Sequence, residues 1–358
     1  MSDFIRNWLR PEIYNLAKYS VPDTDGYIRL DAMENPYSLP EEIKKEWFEY
    51  LNSVDINRYP KSVNTKLELI IKGLMSVDDN LEVILGNGSD ELIQLLALAC
   101  DCDDTILAFE PSFVMYEMIA KFSKLNYKTV KLNNDFAIDK AKTIKVIDAT
   151  NPKIIFISYP NNPTGNLFDY QTIIDIIKYA KNTLVVIDEA YYAYTDNNFI
   201  NEINHYPNLV VLRTISKIGF AGLRLGILIA DRETKEQLDK IRLPYNISSL
   251  TQLSAEFLLD KKQLISLQAQ NIKQNRDKLI QDLKQISSLT VFASEANFIL
   301  FKTKDNAWDL WQFLQKNKVL IKTFKNNKNL ENCLRVSIGN DYENKIFIDL
   351  MRKYYANK

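Results

Sequence analysis

Short apolar runs recur along this chain, each bounded by turn residues and separated from the next by a helix-length stretch. No other feature constrains the fold as much. The runs are Leu81–Leu85, Thr105–Phe109, Tyr127–Leu132, Lys153–Ser158, Thr183–Ile187, Leu209–Leu212 and Leu225–Ala230. A strand that is apolar along its whole length has no water-facing side, so it must be covered above and below. Several intervening segments carry helical periodicity: about Pro40–Leu51, Thr65–Met75, Glu91–Cys100, Phe113–Phe122, and a stretch from Gly165 to about Tyr179. Strands alternating with helices predict an α/β fold, a mostly parallel sheet sandwiched by helices.

Beyond about residue 255 the texture changes. A long helix over roughly Lys262–Ile286 leads to short strands at Leu289–Phe292, Asn297–Phe301, Val319–Ile321 and Cys333–Val336, with a helix near Trp308–Lys316 and a terminal helix. This predicts a smaller α+β domain over 256–358, completed by an irregular N-terminal arm over 1–30 with Pro11 and Pro22 as breakers, beside a large domain over 31–255. A chain of 358 residues exceeds the size at which single cores stop growing, which also favours two lobes.

Several functional classes are disfavoured at once. A net charge of -1 with both signs interspersed gives no field to recruit nucleic acid or anionic lipid. Cys100, Cys102 and Cys333 cannot all pair, and a single histidine, His205, starves any zinc site of ligands, so no metal is expected. No stretch approaches the roughly 20 apolar residues of a membrane span. The expectation is a soluble, cytoplasmic protein with reduced thiols.

Ligands of open α/β sheets bind beyond the carboxyl ends of the strands, and four polar constellations fall there. Gly86-Asn-Gly-Ser-Asp90 joins a strand to a helix; it serves equally as a tight turn or as a cradle whose N–H groups take a phosphate. Asn161-Asn-Pro-Thr-Gly165 is a turn in which the side chain of Asn162 is free to act. In Asp188-Glu-Ala-Tyr191 an apolar strand ends on a carboxylate, which wants a cationic or protonated nitrogen if buried. Ser216-Lys217 precedes Arg224 by a short loop, and a nearby cation or an apolar wall lowers a lysine's pKa enough to make it a nucleophile. Together these groups ask for a ligand with a phosphate, a basic ring nitrogen and an aldehyde. Pyridoxal 5'-phosphate has all three: Lys217 would bond to the aldehyde, Asp188 would face the ring nitrogen, and the glycine turn with Ser216 and Arg224 would take the phosphate.

The ordered set Asn162-Pro-Thr-Gly165, Asp188-Glu-Ala-Tyr191 and Ser216-Lys217 through Ala221-Gly-Leu-Arg224 resembles the fold type I pyridoxal phosphate-dependent aminotransferases over nearly the whole chain. Within them, Leu30-Asp-Ala-Met-Glu-Asn-Pro36, Arg58-Tyr-Pro60, Gly88-Ser-Asp-Glu91, Glu295-Ala-Asn-Phe298 and Leu334-Arg-Val-Ser-Ile-Gly339 look most like the histidinol-phosphate aminotransferase branch. The branch implies amino transfer between L-histidinol phosphate and 2-oxoglutarate in histidine biosynthesis. An aromatic amino-acid aminotransferase and a threonine-phosphate decarboxylase of the same fold are the rivals.

The resemblance further implies that Lys217, Asp188 and Tyr191 are catalytic. Gly88, Ser89, Asp90, Ser216 and Arg224 would hold the cofactor, Tyr116 would stack on its ring, and Asn162 and Tyr191 would bond the ring oxygen. Tyr59 would reach the cofactor phosphate of a neighbouring subunit, which implies a homodimer with shared active sites. Arg335 is implied as the substrate grip, with Lys322, Tyr19 and Asn35 on the substrate side. Lys322 stands where the family usually has arginine, which keeps the charge and loses the planar fork. Met33 stands where it commonly has asparagine.

Overall fold

The computed structural model describes residues 3–16, 24–325 and 327–356. Its strands, in chain order, are β1 (Ile28–Leu30), β2 (Glu82–Asn87), β3 (Thr105–Glu110), β4 (Asn126–Lys131), β5 (Ile154–Ser158), β6 (Leu184–Asp188), β7 (Leu209–Thr214), β8 (Leu225–Ala230), β9 (Leu289–Val291), β10 (Phe298–Thr303), β11 (Val319–Thr323) and β12 (Cys333–Ser337). One sheet has seven strands in the order β2-β8-β7-β6-β5-β3-β4. All run parallel except β8, which is antiparallel to both of its neighbours. Every residue of β5, β7 and β8 is buried, as a sheet covered on both faces requires. Helix Tyr170–Tyr179 packs Ile173, Ile174, Ile176 and Ile177 into that core, and each such side chain contributes about 1.5–3 kcal/mol of burial. The Asp169 carboxylate starts this helix by accepting from Thr172 N at 2.7 Å.

The second sheet has the order β1-β11-β12-β10-β9. It is antiparallel except where β1 joins β11 in parallel. Helices Lys262–Lys284 and Asp341–Ala356 cover it, burying Ile272, Leu279, Leu283, Phe347 and Met351. Helix Ser249–Leu259 runs through residue 255, where the sequence suggested a domain boundary, and its Leu258 and Leu259 belong to the core of the seven-stranded sheet.

Three local expectations are corrected. The N-terminal arm is not irregular: it contains helices Asp3–Trp8 and Pro11–Tyr14. Pro11, read as a breaker, opens the second, because a first-turn proline has no N–H to lose. The helix expected from Glu91 begins at Ser89, since Gly88 completes the turn at φ +80. Helix Lys140–Thr150 was missed; it buries only Thr143 and Ile147, too little for a readable apolar face, although Asp139 caps it at 3.0 Å from Lys142 N.

Candidate active site

The carboxyl ends of β5, β6 and β7 bring the polar constellations together. Ser158 pairs with Asp188 across β5 and β6, and Thr214 with Gly226 across β7 and β8. Beyond them lies a cavity of about 230 Å³. Ser89, Asp90, Asn162 and Asp188 line it, as do Tyr191, Ser216, Lys217 and Arg224. A larger cavity of about 630 Å³ lies against the five-stranded sheet beside Trp308, Phe324 and Cys333, and none of the expected site residues lines it.

Asp188 ends β6 almost wholly buried, at 4% exposure. Burial pushes its carboxyl up to about 6, against the hydrogen bonds from Tyr116 and Ala190, which pull it down. Tyr116 Oη donates to Oδ2 at 2.6 Å and Ala190 N to Oδ1 at 3.1 Å. This corrects the role expected for Tyr116. Its ring is fully buried and stacked on Phe156, with centroids 4.5 Å apart, so it stands behind the carboxylate and not against the cavity. The aromatic side chain that lines the cavity from the same turn is Phe113, which meets Tyr116 edge-on.

Lys217 follows β7 in a short 3-10 turn. Its Nζ donates to Ala32 O at 3.3 Å and lies 6.0 Å from the Tyr191 ring centroid. Tyr194 Oη donates to the Lys217 carbonyl at 2.5 Å, pinning the backbone. Burial, then the Arg335 charge, lowers the amine to about 8. At pH 7 about a tenth of such an amine is neutral, against a few parts in ten thousand for an ordinary lysine. The sign follows: the charged form is lost as pH rises through about 8. Capture of pyridoxal phosphate by the cofactor-free chain should therefore quicken roughly tenfold per pH unit below that point and level off above it. Stopped-flow absorbance across that range checks this; a rate still climbing above pH 10 would contradict it.

The glycine turn is packed too closely to carry side chains. A side chain at Gly88 would run into the Arg224 guanidinium, and one at Gly226 into the backbone of Gly88 and Ser89. The helix starting at Ser89 has no side-chain N-cap, and Ser89 and Asp90 line the cavity together with Ser216 and Arg224. Arg224 Nη2 reaches Asp90 Oδ2 at 3.5 Å. Burial raises the Asp90 carboxyl while Arg224 and Lys217 lower it.

Arg335 meets the cavity through Asn162, which lines it: Nη1 donates to Asn162 Oδ1 at 2.5 Å and Nη2 to Asp31 O at 2.9 Å. The first bond uses the oxygen of Asn162 and leaves its amide nitrogen as the donor available to a ligand. Lys322 pairs directly opposite Arg335 across β11 and β12. Burial and the Arg335 charge lower its amine. Asn35 is oriented by its turn: its Oδ1 accepts from Tyr37 N and its Nδ2 donates to Gln268 Oε1, each at 2.9 Å. Tyr59 is 81% exposed and stacks on Tyr245 with centroids 4.8 Å apart, away from the cavity of its own chain. Tyr19 lies outside the described residues. His205 is exposed in its loop.

Sequence reasoning missed the partner of the carboxylate next to Asp188. Successive strand residues point to opposite faces, and Glu189 turns away from the cavity into a buried ion pair with Arg213. Its Oε2 accepts from Arg213 Nε at 2.9 Å and Nη2 at 2.7 Å, and its Oε1 from Phe199 N at 2.5 Å. Removing either partner would strand the other, at about 3–5 kcal/mol.

At its strand ends the mostly parallel sheet thus gathers a buried carboxylate, a lysine of lowered basicity and an uncapped helix start. Residues 25–350 match the family model for aminotransferase class I and II, and the chain belongs to that family. It is 51% identical over 352 residues to a histidinol-phosphate aminotransferase of Vesicomyosocius okutanii subsp. Calyptogena okutanii, covering 98% of this chain and 99% of that one. A histidinol-phosphate aminotransferase structure from Clostridium acetobutylicum superposes with TM-score 0.85 at 25% identity, covering 92% of this chain and all of that one. One from Sinorhizobium meliloti, solved in complex with pyridoxal-5'-phosphate, superposes at 0.84 with 18% identity and 98% coverage of both chains. Among the described residues no helix is long and apolar enough to cross a membrane.

Proposed function

We propose that this chain is a pyridoxal phosphate-dependent aminotransferase exchanging the amino group between L-histidinol phosphate and 2-oxoglutarate. The observation that carries the substrate assignment is the cross-strand pair Lys322 and Arg335, two cations directly opposite one another beside Asn162. Two neighbouring cations suit a phosphate ester better than a single carboxylate. The activity named for the Vesicomyosocius okutanii relative supports the same reading.

The residues present fit the cofactor. The uncapped start of the helix at Ser89, with Ser216 and Arg224, would take its phosphate, and the missing side chains at Gly88 and Gly226 let Arg224 and the strand beside it pack against that turn. Asp188 would hold a proton on the ring nitrogen. Tyr191, whose phenol burial keeps neutral, and the amide nitrogen of Asn162 would donate to the ring oxygen. Phe113, in place of Tyr116, would lie against the ring. When bound, pyridoxal phosphate supplies an electron sink for charge developing at the substrate Cα. Lys217 would hold the cofactor covalently and, once displaced by the substrate amine, carry the Cα proton.

In this reading residues 31–255, continued to the end of helix Ser249–Leu259, form the cofactor domain, and the arm with the remaining C-terminal residues forms the smaller one. Two subunits share their active sites, with exposed Tyr59 reaching the neighbour's cofactor phosphate, in a cytoplasmic homodimer. A substrate panel tests the assignment: kcat/KM should be at least about tenfold higher with histidinol phosphate than with phenylalanine, as one lost charge-assisted contact costs about that much. Preference for phenylalanine, or carbon dioxide release from threonine phosphate, would overturn it.

A further inference from the structure

Ala32, Met33 and Glu34 line the cavity, and the backbone of this segment touches both Lys217 and Arg335. Asp31 O accepts from Arg335 and Ala32 O from Lys217. The next residue, Met33, has φ +54, the left-handed region that L side chains other than asparagine and aspartate rarely adopt. Two buried polar side chains bracket it. Ser337 Oγ accepts from Met33 N at 2.8 Å, and Asn297 Nδ2 donates to Met33 O at 2.9 Å. Asn297 is fully buried and Ser337 is 2% exposed.

The geometry matters because the Ala32 carbonyl and the Met33 N–H belong to one peptide group. Ser337 holds the N–H end, and the Lys217 amine meets the C=O end. Rotation about φ of Met33 turns that whole group, so relaxation to an ordinary negative φ, a swing of about 110°, would carry the oxygen off Lys217. Asn297 fixes the following carbonyl, so the dihedral is held from both sides.

We propose that Asn297 and Ser337 are positioning residues: by clamping Met33 in the left-handed conformation they keep the Ala32 carbonyl on the reactive amine. The proposal rests on the reading of Lys217 as that amine. The Ala32 oxygen is then the acceptor that steadies the free amine, and it acts on the proton-transfer step more than on substrate affinity.

The test compares Ser337→Ala in two backgrounds, native and Met33→Gly, because glycine adopts positive φ without a clamp. In the native background, kcat should fall about tenfold while KM for the amino donor stays within about twofold. The pH midpoint of pyridoxal phosphate capture by the full chain freed of cofactor should move down by about half a unit, since a carbonyl acceptor favours the charged amine. In the Met33→Gly background the same replacement should cost less than about twofold. Equal losses in both backgrounds, or a loss confined to KM, would overturn the proposal. If Ser337→Ala does not fold, Asn297→Ala carries the same comparison. Failure of the unmutated chain to capture pyridoxal phosphate would instead sink the reading of Lys217.

Discussion

Lys217→Ala is expected to leave a folded protein that no longer shifts the absorbance of pyridoxal phosphate to that of the lysine-bonded cofactor, with turnover about 10⁴-fold lower. The side chain is assigned two tasks in sequence, covalent hold on the cofactor and carriage of the Cα proton, and alanine can do neither. The fold should tolerate the change, because burial already disfavours the charged amine and its Nζ donates to the Ala32 carbonyl at 3.3 Å. Absorbance titration, a turnover assay and a thermal melt read out the three expectations separately. A variant that kept both the absorbance and a turnover within tenfold of the unmutated chain would remove Lys217 from the mechanism.

Asp188→Asn should have the next largest effect. The replacement preserves shape and removes the charge that would keep a proton on the cofactor ring nitrogen. A preorganised electrostatic contact of this kind contributes on the order of 10²–10³-fold to kcat. Cofactor capture should survive, because Lys217 is untouched, so the absorbance remains while the rate falls. Tyr116 Oη and Ala190 N both donate to the native carboxylate, and an amide can accept both only at its one oxygen. Some stability should therefore be lost as well. A kcat within threefold of the unmutated chain would mean that Asp188 does not face a protonated nitrogen.

Where the sequence was informative, the reason was local. Apolar strands announce their own ends, so Asp188, Asn162 and Ser216-Lys217 could be placed at one edge of one sheet before any coordinates. Gly88 could be read as a turn, though only the structure shows that a side chain there would strike Arg224. The failures share a different cause: each depends on a partner far away in the chain. Tyr116 keeps company with Asp188 across 72 positions, and nothing near Tyr116 in sequence distinguishes a tyrosine behind a carboxylate from one facing a ligand. Phe113, three residues earlier, lines the cavity instead. The bond from Asn35 to Gln268, 233 positions away, likewise has no local sign. The substitution at Met33 acquires meaning only from its backbone angle and its bonds to Asn297 and Ser337.

The two-cation arrangement sharpens what the lysine at 322 can do. Antiparallel pairing fixes it opposite Arg335 whichever basic residue stands there, and in the proposed reading the pair would meet the substrate phosphate. What lysine gives up is bidentate geometry, which affects how firmly the ester is oriented more than whether it is drawn in.

The most direct measurement of the central claim uses the unmutated protein loaded with pyridoxal phosphate and mixed with L-histidinol phosphate alone. The visible absorbance should fall within the mixing experiment as the amino group leaves the substrate, and return when 2-oxoglutarate is added, with glutamate appearing in equal amount. Absorbance that histidinol phosphate leaves unchanged, while phenylalanine or another amino acid without a phosphate bleaches it, would contradict the account.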